Sequence, residues 1–455
     1  MYNNFHMRLK DVQKSLSARW IQKGSLKTFK RVSIDSRQTK KGDLFWAIHG
    51  ARFDGNQFVQ DAFESGAVAA VVTQAAQGPW PSHVSILKIA DGIKALQKYA
   101  SVVRKQYFKQ VIGVVGSNGK TSTKNMIEHL LKPYLTCGKT ISNYNNHIGL
   151  PLSCVNTQKA CEVFIAEMGM SHFGEIGCLG RILKPNTVVF TNIGLAHLEG
   201  VKNLKGVLRA KEEVLNHLPH GASLVLNADD AKLRTLTRHQ KFRIITYGFS
   251  RHADFHATIV KRSLRSTSFL VNGKDLIRLP CLGDFNVYNA LAALATAHAV
   301  VPKFRLNHRV FAGICLPGMR TEIRKKKGIL CINDAYNSNP TSVKASLGML
   351  SHPAFQKKRK VFVCGDMLEL GRYSVEWHRR LGRHLKSSQV DILIAIGSKA
   401  EAMAKEAAKH NSFPIYQFCD VDEFRQDMHN IIRSGDVVLL KASRLIGLEK
   451  ILNKK

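Results

Sequence analysis

The chain has 455 residues and a formal net charge of +35, from 68 Lys and Arg against 33 Asp and Glu. That length is too great for one hydrophobic core and predicts two to four domains. The first ten residues lack a signal-peptide core, no apolar run could span a bilayer, and the nine scattered cysteines form no C-x-x-C pair. These features exclude a secreted disulfide module and predict a cytoplasmic protein with no integral membrane contact.

The positive charge permits a nucleic-acid-binding protein. The basic residues are dispersed, however, and the densest runs, 324–327 and 357–360, are short. No RNA-binding signature, zinc-finger spacing or aromatic-interleaved basic segment accompanies them. The favoured interpretation is a solvated basic surface, which would also attract a highly anionic small substrate, and no nucleic-acid partner is expected.

The predicted elements fall into three blocks. Residues 1–105 contain short strand-like runs with Asp-Gly and Lys-Gly turns, such as GDLFWAIHG and GAVAAVVTQ, which favour a small α/β domain. In residues 106–316 the apolar runs VFIAE, TVVF and SLVLN alternate with helical patterns, which predicts a mostly parallel sheet. Residues 317–455 repeat this alternation with ILCIN, VFVCG, ILIAI and VVLLK, which predicts a Rossmann-like domain.

The stretch VIGVVGSNGKTSTKNMIEHLL, from Val111 to Leu131, predicts a strand, a phosphate-binding loop and a helix. Glycines in such a loop let successive N–H groups point into one concavity, and the helix N-terminus adds positive potential. Lys120 could reach a terminal phosphate and Thr121 could hold Mg²⁺. The standard motif has a further glycine where Val114 stands, so a chance match is the alternative.

Polar residues follow the strands of the middle block at the edge where open parallel sheets bind ligands. Glu167 and His197 would lie there beside the phosphate loop. Each has an alternative, purely structural role: Glu167 could cap a turn, and His197 could be a hydrogen-bonded loop histidine. From the residues alone, Lys211 is a surface lysine on a helix.

Motifs throughout the chain resemble the Mur ligases of bacterial cell-wall synthesis. They include GSNGKTST, SNYNNHIGLP, IAEMGMSHFGEI, TNIGLAHLEG, LRAKEEVL, LGDFNVYNALAALA, INDAYNSNPTS and VCGDMLELGRYS, in the order of the family. The family's loop keeps only G-x-x-G-K-T, so Val114 fits it. The runs N-x-NN-x-IG-x-P, DAYN-x-NP-x-S and GDM-x-ELG are most similar to the members that act on D-alanyl-D-alanine. Phe285 and Ala442 depart from the pattern.

The resemblance implies three α/β domains: a small N-terminal domain for the UDP-linked substrate, a central P-loop-type parallel-sheet ATPase domain, and a C-terminal Rossmann-like ligase domain. The implied reaction adds D-alanyl-D-alanine to UDP-N-acetylmuramoyl-tripeptide through an acyl phosphate. The implied cofactors are ATP, two Mg²⁺ ions and a carbamate formed from CO₂ on Lys211. The linkers near Lys105 and Pro317 would be hinges, and a monomer is expected.

The resemblance also implies roles for individual residues. Lys120, Lys211, His197 and Glu167 would be catalytic, and Thr121, Glu167, His197 and carbamylated Lys211 would hold the metal ions. The nucleotide would contact Gly116, Ser117, Asn118, Gly119, Lys120, Thr121, Ser122, Asn286, Asn289, Arg320 and Asp334. The other substrates would contact Ser36, Arg37, Asn143, Asn146, Asn337, Asn339, Lys441, Ser443 and Arg444. Helix capping is an alternative role for Asn286 and Asn289. GDMLELG is expected to shape a loop of the third domain, with acidic residues that need not touch ligand.

Three other functions stay open at this point. Two are related enzymes, the ligase that adds the third peptide residue and a folate-polyglutamate ligase. The third is of another class, a nucleic-acid-dependent NTPase, which the net charge of +35 would suit.

Overall fold

The computed structural model describes residues 7–50, 52–74, 80–157 and 161–452. The first predicted domain begins at residue 1 and the last ends at residue 455, and both of these residues lie outside the described ranges. Three large sheets follow one another along the chain, each with strands from one of the three predicted blocks. The α/β fold with three domains is therefore confirmed.

The N-terminal sheet has the strand order β2-β7-β6-β5-β4, and a separate pair joins β1 to β3. The strands are β1 (Met7–Arg8), β2 (Arg19–Gln22), β3 (Thr28–Phe29), β4 (Val32–Ser33), β5 (Leu44–Trp46), β6 (Ala69–Val72) and β7 (Ser85–Lys88). The helices are α1 (Leu9–Leu16), α2 (Val59–Glu64) and α3 (Gly92–Tyr107). The predicted boundary at Lys105 lies in the last turn of α3.

The central sheet has the order β16-β15-β14-β13-β12-β11-β8-β10-β9. Its strands are β8 (Gln110–Val115), β9 (Cys137–Lys139), β10 (Val163–Glu167), β11 (Thr187–Phe190), β12 (Ser223–Asn227), β13 (Arg243–Gly248), β14 (Phe255–Ser263), β15 (Ser266–Val271) and β16 (Asp275–Leu279). Strands β8 to β13 pair in parallel, as predicted, and β14 continues the parallel order beside β13. Strands β14, β15 and β16 pair with one another in antiparallel fashion, as an extension at this edge.

Helices cover both faces of the central sheet, because its apolar strands are buried on both sides. They are α4 (Lys120–Leu131), α5 (Gly149–Val155), α6 (Glu175–Leu183), α7 (Leu198–Val201), α8 (Leu204–Glu212) and α9 (Asp284–Val300). Helix α9 is rich in Ala and Leu and almost wholly buried, and it packs against α4 and the sheet. Helix α3 packs on α5 and α6, which joins the N-terminal domain to the central one.

The C-terminal sheet has the order β17-β18-β22-β19-β20-β21, in which only the edge strand β17 is antiparallel. Its strands are β17 (Glu322–Lys326), β18 (Ile329–Asn333), β19 (Lys360–Gly365), β20 (Ile392–Ile396), β21 (Ile415–Phe418) and β22 (Val437–Lys441). Its helices are α10 (Pro340–Gly348), α11 (Ser374–His384), α12 (Ala400–Ala408) and α13 (Val421–Ile431). This is the doubly wound arrangement that the alternating pattern predicts.

All nine cysteines are free thiols, and only Cys315 and Cys419 are exposed. Among the described residues, no helix has both the length and the apolar character needed to cross a membrane.

Candidate active site

The loop between β8 and α4 curls around a concavity at the carboxyl end of the central sheet. Asn192, which follows β11, holds the loop: its carbonyl accepts from Ser117 N at 3.0 Å, and its Oδ1 accepts from Asn118 N at 3.0 Å. Thr191 Oγ1 donates to the Asn118 carbonyl at 2.6 Å. The shape of the loop is thus imposed by the neighbouring strand as well as by its own sequence.

Two positions in the loop require glycine. Gly116 has φ +152°, and a Cβ there would lie 1.8 Å from Thr191 Oγ1. Gly119 has φ +82°, and its Cβ would lie 2.3 Å from Asn289 Oδ1. Any side chain at either residue would push a neighbouring strand or helix away, so the glycines serve close packing as well as loop curvature.

Lys120 and Thr121 begin helix α4 beside this concavity. Lys120 Nζ donates to the carbonyls of Gly116 at 2.9 Å and Ser117 at 3.2 Å, so its charge is held against its own loop. Thr121 Oγ1 accepts a hydrogen bond from Arg320 Nη2 at 2.9 Å. Arg320 comes from the start of the third block, and its guanidinium lies 4.0 Å from the ring centre of Tyr336.

Glu167 ends strand β10 and is 3% exposed. Its Oε1 accepts from Asn145 Nδ2 at 2.9 Å, and its Oε2 lies 3.5 Å from Nζ of buried Lys124. Lys124 Nζ also donates to the carbonyls of Thr140 and Ser142, both at 3.0 Å. This lysine therefore ties the predicted metal ligand to the segment that precedes α5.

Charge and burial oppose each other at Glu167. Burial raises the pKa of its carboxyl, but the charges of Lys124 and Lys120 outweigh burial and leave the pKa below the ordinary value. Glu167 is therefore ionised at neutral pH. Its Oε2 accepts no hydrogen bond within the described residues and faces the Lys124 ammonium at 3.5 Å, so it keeps lone pairs that a metal ion could use.

Lys211 lies in helix α8 and is only 2% exposed, so its interpretation as a surface lysine is wrong. Burial, and then the charge of Lys120, lower the pKa of Lys211 well below its ordinary value. The local sequence does not reveal this burial. The environment favours the neutral amine.

His197 precedes α7 and lines the same concavity. Its Nδ1 lies 2.8 Å from Oε2 of Glu369, a residue of the GDMLELG segment in the C-terminal domain. The contact to His197 outweighs burial and lowers the pKa of the Glu369 carboxyl. This contact between domains is not predicted from the sequence.

Asn286 and Asn289 lie in the first turns of α9 and are both buried. Asn286 Nδ2 donates to the Leu282 carbonyl at 2.8 Å, and Asn289 Nδ2 donates to Asn286 Oδ1 at 3.1 Å. Asn289 Oδ1 accepts from Thr123 Oγ1 at 3.2 Å. In this structure Asn289 links α9 to α4, Asn286 bonds to the segment just before α9 and to Asn289, and neither is the N-cap, which is Gly283.

The C-terminal domain contributes several predicted residues, many of them paired with protein groups. Asp334 Oδ2 accepts from Lys441 Nζ at 2.6 Å. Arg444 Nη1 lies 2.7 Å from Glu449 Oε1, and Ser443 Oγ accepts from Leu368 N at 2.9 Å.

Asn339 and Asn146 have capping roles. Asn339 caps α10, and its Nδ2 donates to Asn118 Oδ1 of the phosphate loop at 2.7 Å. Asn146 Oδ1 accepts from Gly149 N at the start of α5.

These elements enclose one cavity of about 850 Å³ between the central and C-terminal domains. The predicted residues that line it are Ser117, Asn118, Gly119, Lys120, Thr121, Ser122, Asn143, Asn146, Glu167, His197, Asn286, Asn289, Arg320, Asp334, Asn337, Lys441, Ser443 and Arg444. Gly116, Lys211 and Asn339 lie outside this lining but contact or influence its residues.

The two predicted residues of the N-terminal domain lie apart from this cavity. Ser36 and Arg37 belong to a short 3-10 turn, where Arg37 pairs with Asp35 at 2.9 Å. The geometry does not bring them to the phosphate loop, and their contact with a uridine nucleotide stays a prediction.

The donor set suits Mg²⁺, which prefers one or two carboxylates with hydroxyl, water and phosphate oxygens. Thr121 and Glu167 supply a hydroxyl and a buried carboxylate with an unsatisfied oxygen. In the described ranges no three His, Cys, Asp or Glu side chains form a metal-holding group. An ion here would therefore depend on phosphate oxygens and on non-carboxylate donors of the protein.

A phosphate loop on a parallel sheet, facing a Rossmann-like domain across one cavity, defines a nucleotide-binding enzyme of three α/β domains. Family models match in the same order: the Mur ligase family catalytic domain at residues 28–111, the Mur ligase middle domain at 114–297, and the Mur ligase glutamate ligase domain at 319–444. The chain belongs to the Mur ligase family.

Relatives and solved structures resemble it over nearly their full length. The UDP-N-acetylmuramoyl-tripeptide–D-alanyl-D-alanine ligase of Bacillus subtilis is 35% identical over 426 residues, or 92% of each chain. The structure of MurF from Acinetobacter baumannii is 28% identical with a TM-score of 0.87, and the match covers 98% of each chain. MurF from Thermotoga maritima in complex with ADP is 28% identical with a TM-score of 0.80, covering 93% of this chain and 96% of that one.

Lys124, Asn145 and Glu369 contact predicted site residues but are not themselves predicted from the sequence. The sequence contains a clue to Lys124, since it lies one helical turn after Lys120 on the same face of α4. Asn145 stands between the predicted Asn143 and Asn146, and only the fold shows which of the three meets Glu167. Glu369 carries no local signal, because its partner belongs to another domain.

We expect Lys124→Met to destabilise the central domain by about 3 kcal/mol or more, because Glu167 stays buried but loses the positive charge of Lys124. The carbonyls of Thr140 and Ser142 would lose their donor as well. Native-state hydrogen exchange of the β10 amides measures the loss.

Lys109→Met is the matched control, since Lys109 is 75% exposed and pairs with Glu162 at 3.1 Å. Its removal should change the stability by less than about 1 kcal/mol. Equal effects of the two substitutions would show that the buried contact with Glu167 contributes nothing special.

Proposed function

We propose that this chain is an ATP-dependent ligase that joins D-alanyl-D-alanine to UDP-N-acetylmuramoyl-tripeptide. The observation that carries the proposal is the cavity in which the phosphate loop, Glu167 and His197 face Arg320 of the third block. The Bacillus subtilis ligase, which shares 35% identity over 92% of both chains, supports the choice of substrates. The reaction would take place in the cytoplasm.

The chemistry explains why cations surround the cavity. A carboxylate repels nucleophiles, so the γ-phosphoryl group of ATP moves to a carboxylate oxygen of the tripeptide, giving ADP and an acyl phosphate. The dipeptide amine, after losing a proton, attacks the carbonyl carbon, and phosphate leaves as the amide forms. Negative charge gathers at each step, and fixed cations stabilise it best when they are positioned beforehand.

The residues of this chain would divide that task. Lys120 would exchange its contacts with the Gly116 and Ser117 carbonyls for the β- and γ-phosphates. Arg320, held over the Tyr336 ring, would approach the same phosphates from the opposite domain. One Mg²⁺ would be held by Thr121 and Glu167 and a second by His197, and the two ions would neutralise phosphate charge.

Lys211 would join this set as a carbamate. Its neutral Nζ would attack the carbon of CO₂ and release a proton, which converts a cation into an anionic oxygen ligand. Burial and the charge of Lys120, which lower the pKa of Lys211, supply the neutral amine that this step needs.

Substrate-dependent release of phosphate from ATP tests the proposed function. We expect release only when UDP-N-acetylmuramoyl-tripeptide and D-alanyl-D-alanine are both present, because the acyl phosphate needs the first and its turnover needs the second. Parallel reactions replace the pair by UDP-N-acetylmuramoyl-dipeptide with a diamino acid, by folate with glutamate, or by RNA or DNA. Stimulation by any of these, with none by the muropeptide pair, would refute the proposal in favour of the corresponding alternative.

We expect Lys211→Ala to lower the ligation rate on the order of 10²-fold or more, since it removes a charged group from the reacting centre. A short carboxylic acid in the buffer should restore part of the rate by supplying the missing oxygens. Labelled bicarbonate should give a carbamate signal by NMR in the unaltered chain and none in the variant.

Lys205→Ala is the control, because Lys205 is exposed on the same helix. It should keep full activity and the carbamate signal. Full activity of Lys211→Ala would exclude the carbamate.

A further inference from the structure

The contact between His197 and Glu369 joins two domains at the proposed metal site. His197 Nδ1 and Glu369 Oε2 are 2.8 Å apart, and the histidine side chain is 17% exposed. Beside it, Glu199 N donates to the Glu369 carbonyl at 3.3 Å. The GDMLELG segment therefore meets the turn that carries His197 through side chain and backbone together.

Both partners have a backbone conformation that non-glycine residues rarely adopt. His197 has φ +55° and Glu369 has φ +63°. Such a conformation persists only where the surroundings of the residue enforce it. Two residues after Glu369, the chain passes close to Glu199: a Cβ on Gly371 would lie 3.1 Å from the Glu199 Cβ, which favours glycine there.

The C-terminal domain holds Glu369 firmly from its own side. Leu368 N donates to Ser443 Oγ at 2.9 Å, and Met367 N donates to Nε2 of the fully buried His378 at 3.1 Å. Asp366 Oδ1 accepts from Ala400 N at 2.7 Å, at the start of α12. The carboxylate is thus presented to His197 by a braced segment.

A histidine that binds a metal through one ring nitrogen commonly donates its other N–H to a carboxylate, which fixes the tautomer and the ring orientation. In this structure Nδ1 and Oε2 are at ion-pair distance, but Nδ1 makes no aligned hydrogen bond within the described residues. Alignment of an Nδ1–H on Glu369 would leave the Nε2 lone pair as the donor to a cation. We propose that Glu369 is the positioning residue of His197, and that the C-terminal domain completes the metal site by supplying it. This inference rests on the proposed function only in taking His197 as a metal ligand.

The test measures metal binding directly. Mn²⁺ is titrated into the full chain saturated with a non-hydrolysable ATP analogue, and free Mn²⁺ is followed by electron paramagnetic resonance. Glu369→Gln, which keeps the size and removes the charge, should weaken one Mn²⁺ site by about 10- to 100-fold. The control is Glu376→Gln, which removes the same carboxylate charge from an exposed pair with Arg380 in the same domain. It should leave the affinity of both Mn²⁺ sites unchanged.

A double-mutant cycle separates positioning from simple docking of the domain. If Glu369 acts through the imidazole, Glu369→Gln should have no further effect on Mn²⁺ affinity in a His197→Ala background. The same loss in both backgrounds, or no loss in either, would overturn the proposal. The Mn²⁺ titration contains no muropeptide, so its result can be interpreted even if the proposed ligation is not observed.

Kinetics give a second readout. Glu369→Gln should lower kcat with little change in KM for the dipeptide, whereas a merely structural defect would raise KM together with a loss of stability.

Discussion

The active site holds more buried positive than negative charge, and this excess determines what the site can bind. Lys120, Lys124 and Lys211 all lie near the carboxyl edge of the central sheet, and burial lowers the pKa of each. The buried carboxylate of Glu167 balances part of this charge, with Lys124 Nζ at 3.5 Å. Desolvating a lysine costs several kcal/mol, so the fold must hold these side chains in place. Such a pocket favours a polyanion such as a triphosphate, and it favours an uncharged amine at Lys211.

The C-terminal domain brings the complementary half of the site. Arg320 reaches Thr121, Asn339 reaches Asn118, and Glu369 reaches His197. Each contact ends on a residue that lines the cavity beside the phosphate loop. Separation of the two domains would undo all three contacts together, so phosphate binding, metal ligation and exclusion of water are linked to one movement. An acyl phosphate formed there would be protected from hydrolysis.

The sequence predicts the parallel strands well because each is a short apolar run that ends in a polar residue or glycine. The antiparallel extension is less visible: β14 is half-buried and carries charged residues such as Lys261 and Arg262, which suit a solvent-facing strand. Burial of Lys124 and Lys211 could not be foreseen, since lysines at helical spacing normally face water. Pairing of His197 with Glu369 depends on how two domains dock, and no local pattern records that.

The linker after Pro317 shows how the domain arrangement and the chemistry are tied together. Met319 and Thr321 both have φ +60°, so the residues on either side of Arg320 are in a strained conformation. Met319 also accepts a hydrogen bond from Tyr336 N at 3.2 Å, and the Tyr336 ring supports the guanidinium of Arg320. Rotation about this linker would relax the strain and withdraw the cation from Thr121 in the same motion. An anion bound at the phosphate loop would oppose that withdrawal, because it attracts Arg320. Nucleotide binding should therefore hold the central and C-terminal domains together through Arg320, next to the linker that joins them.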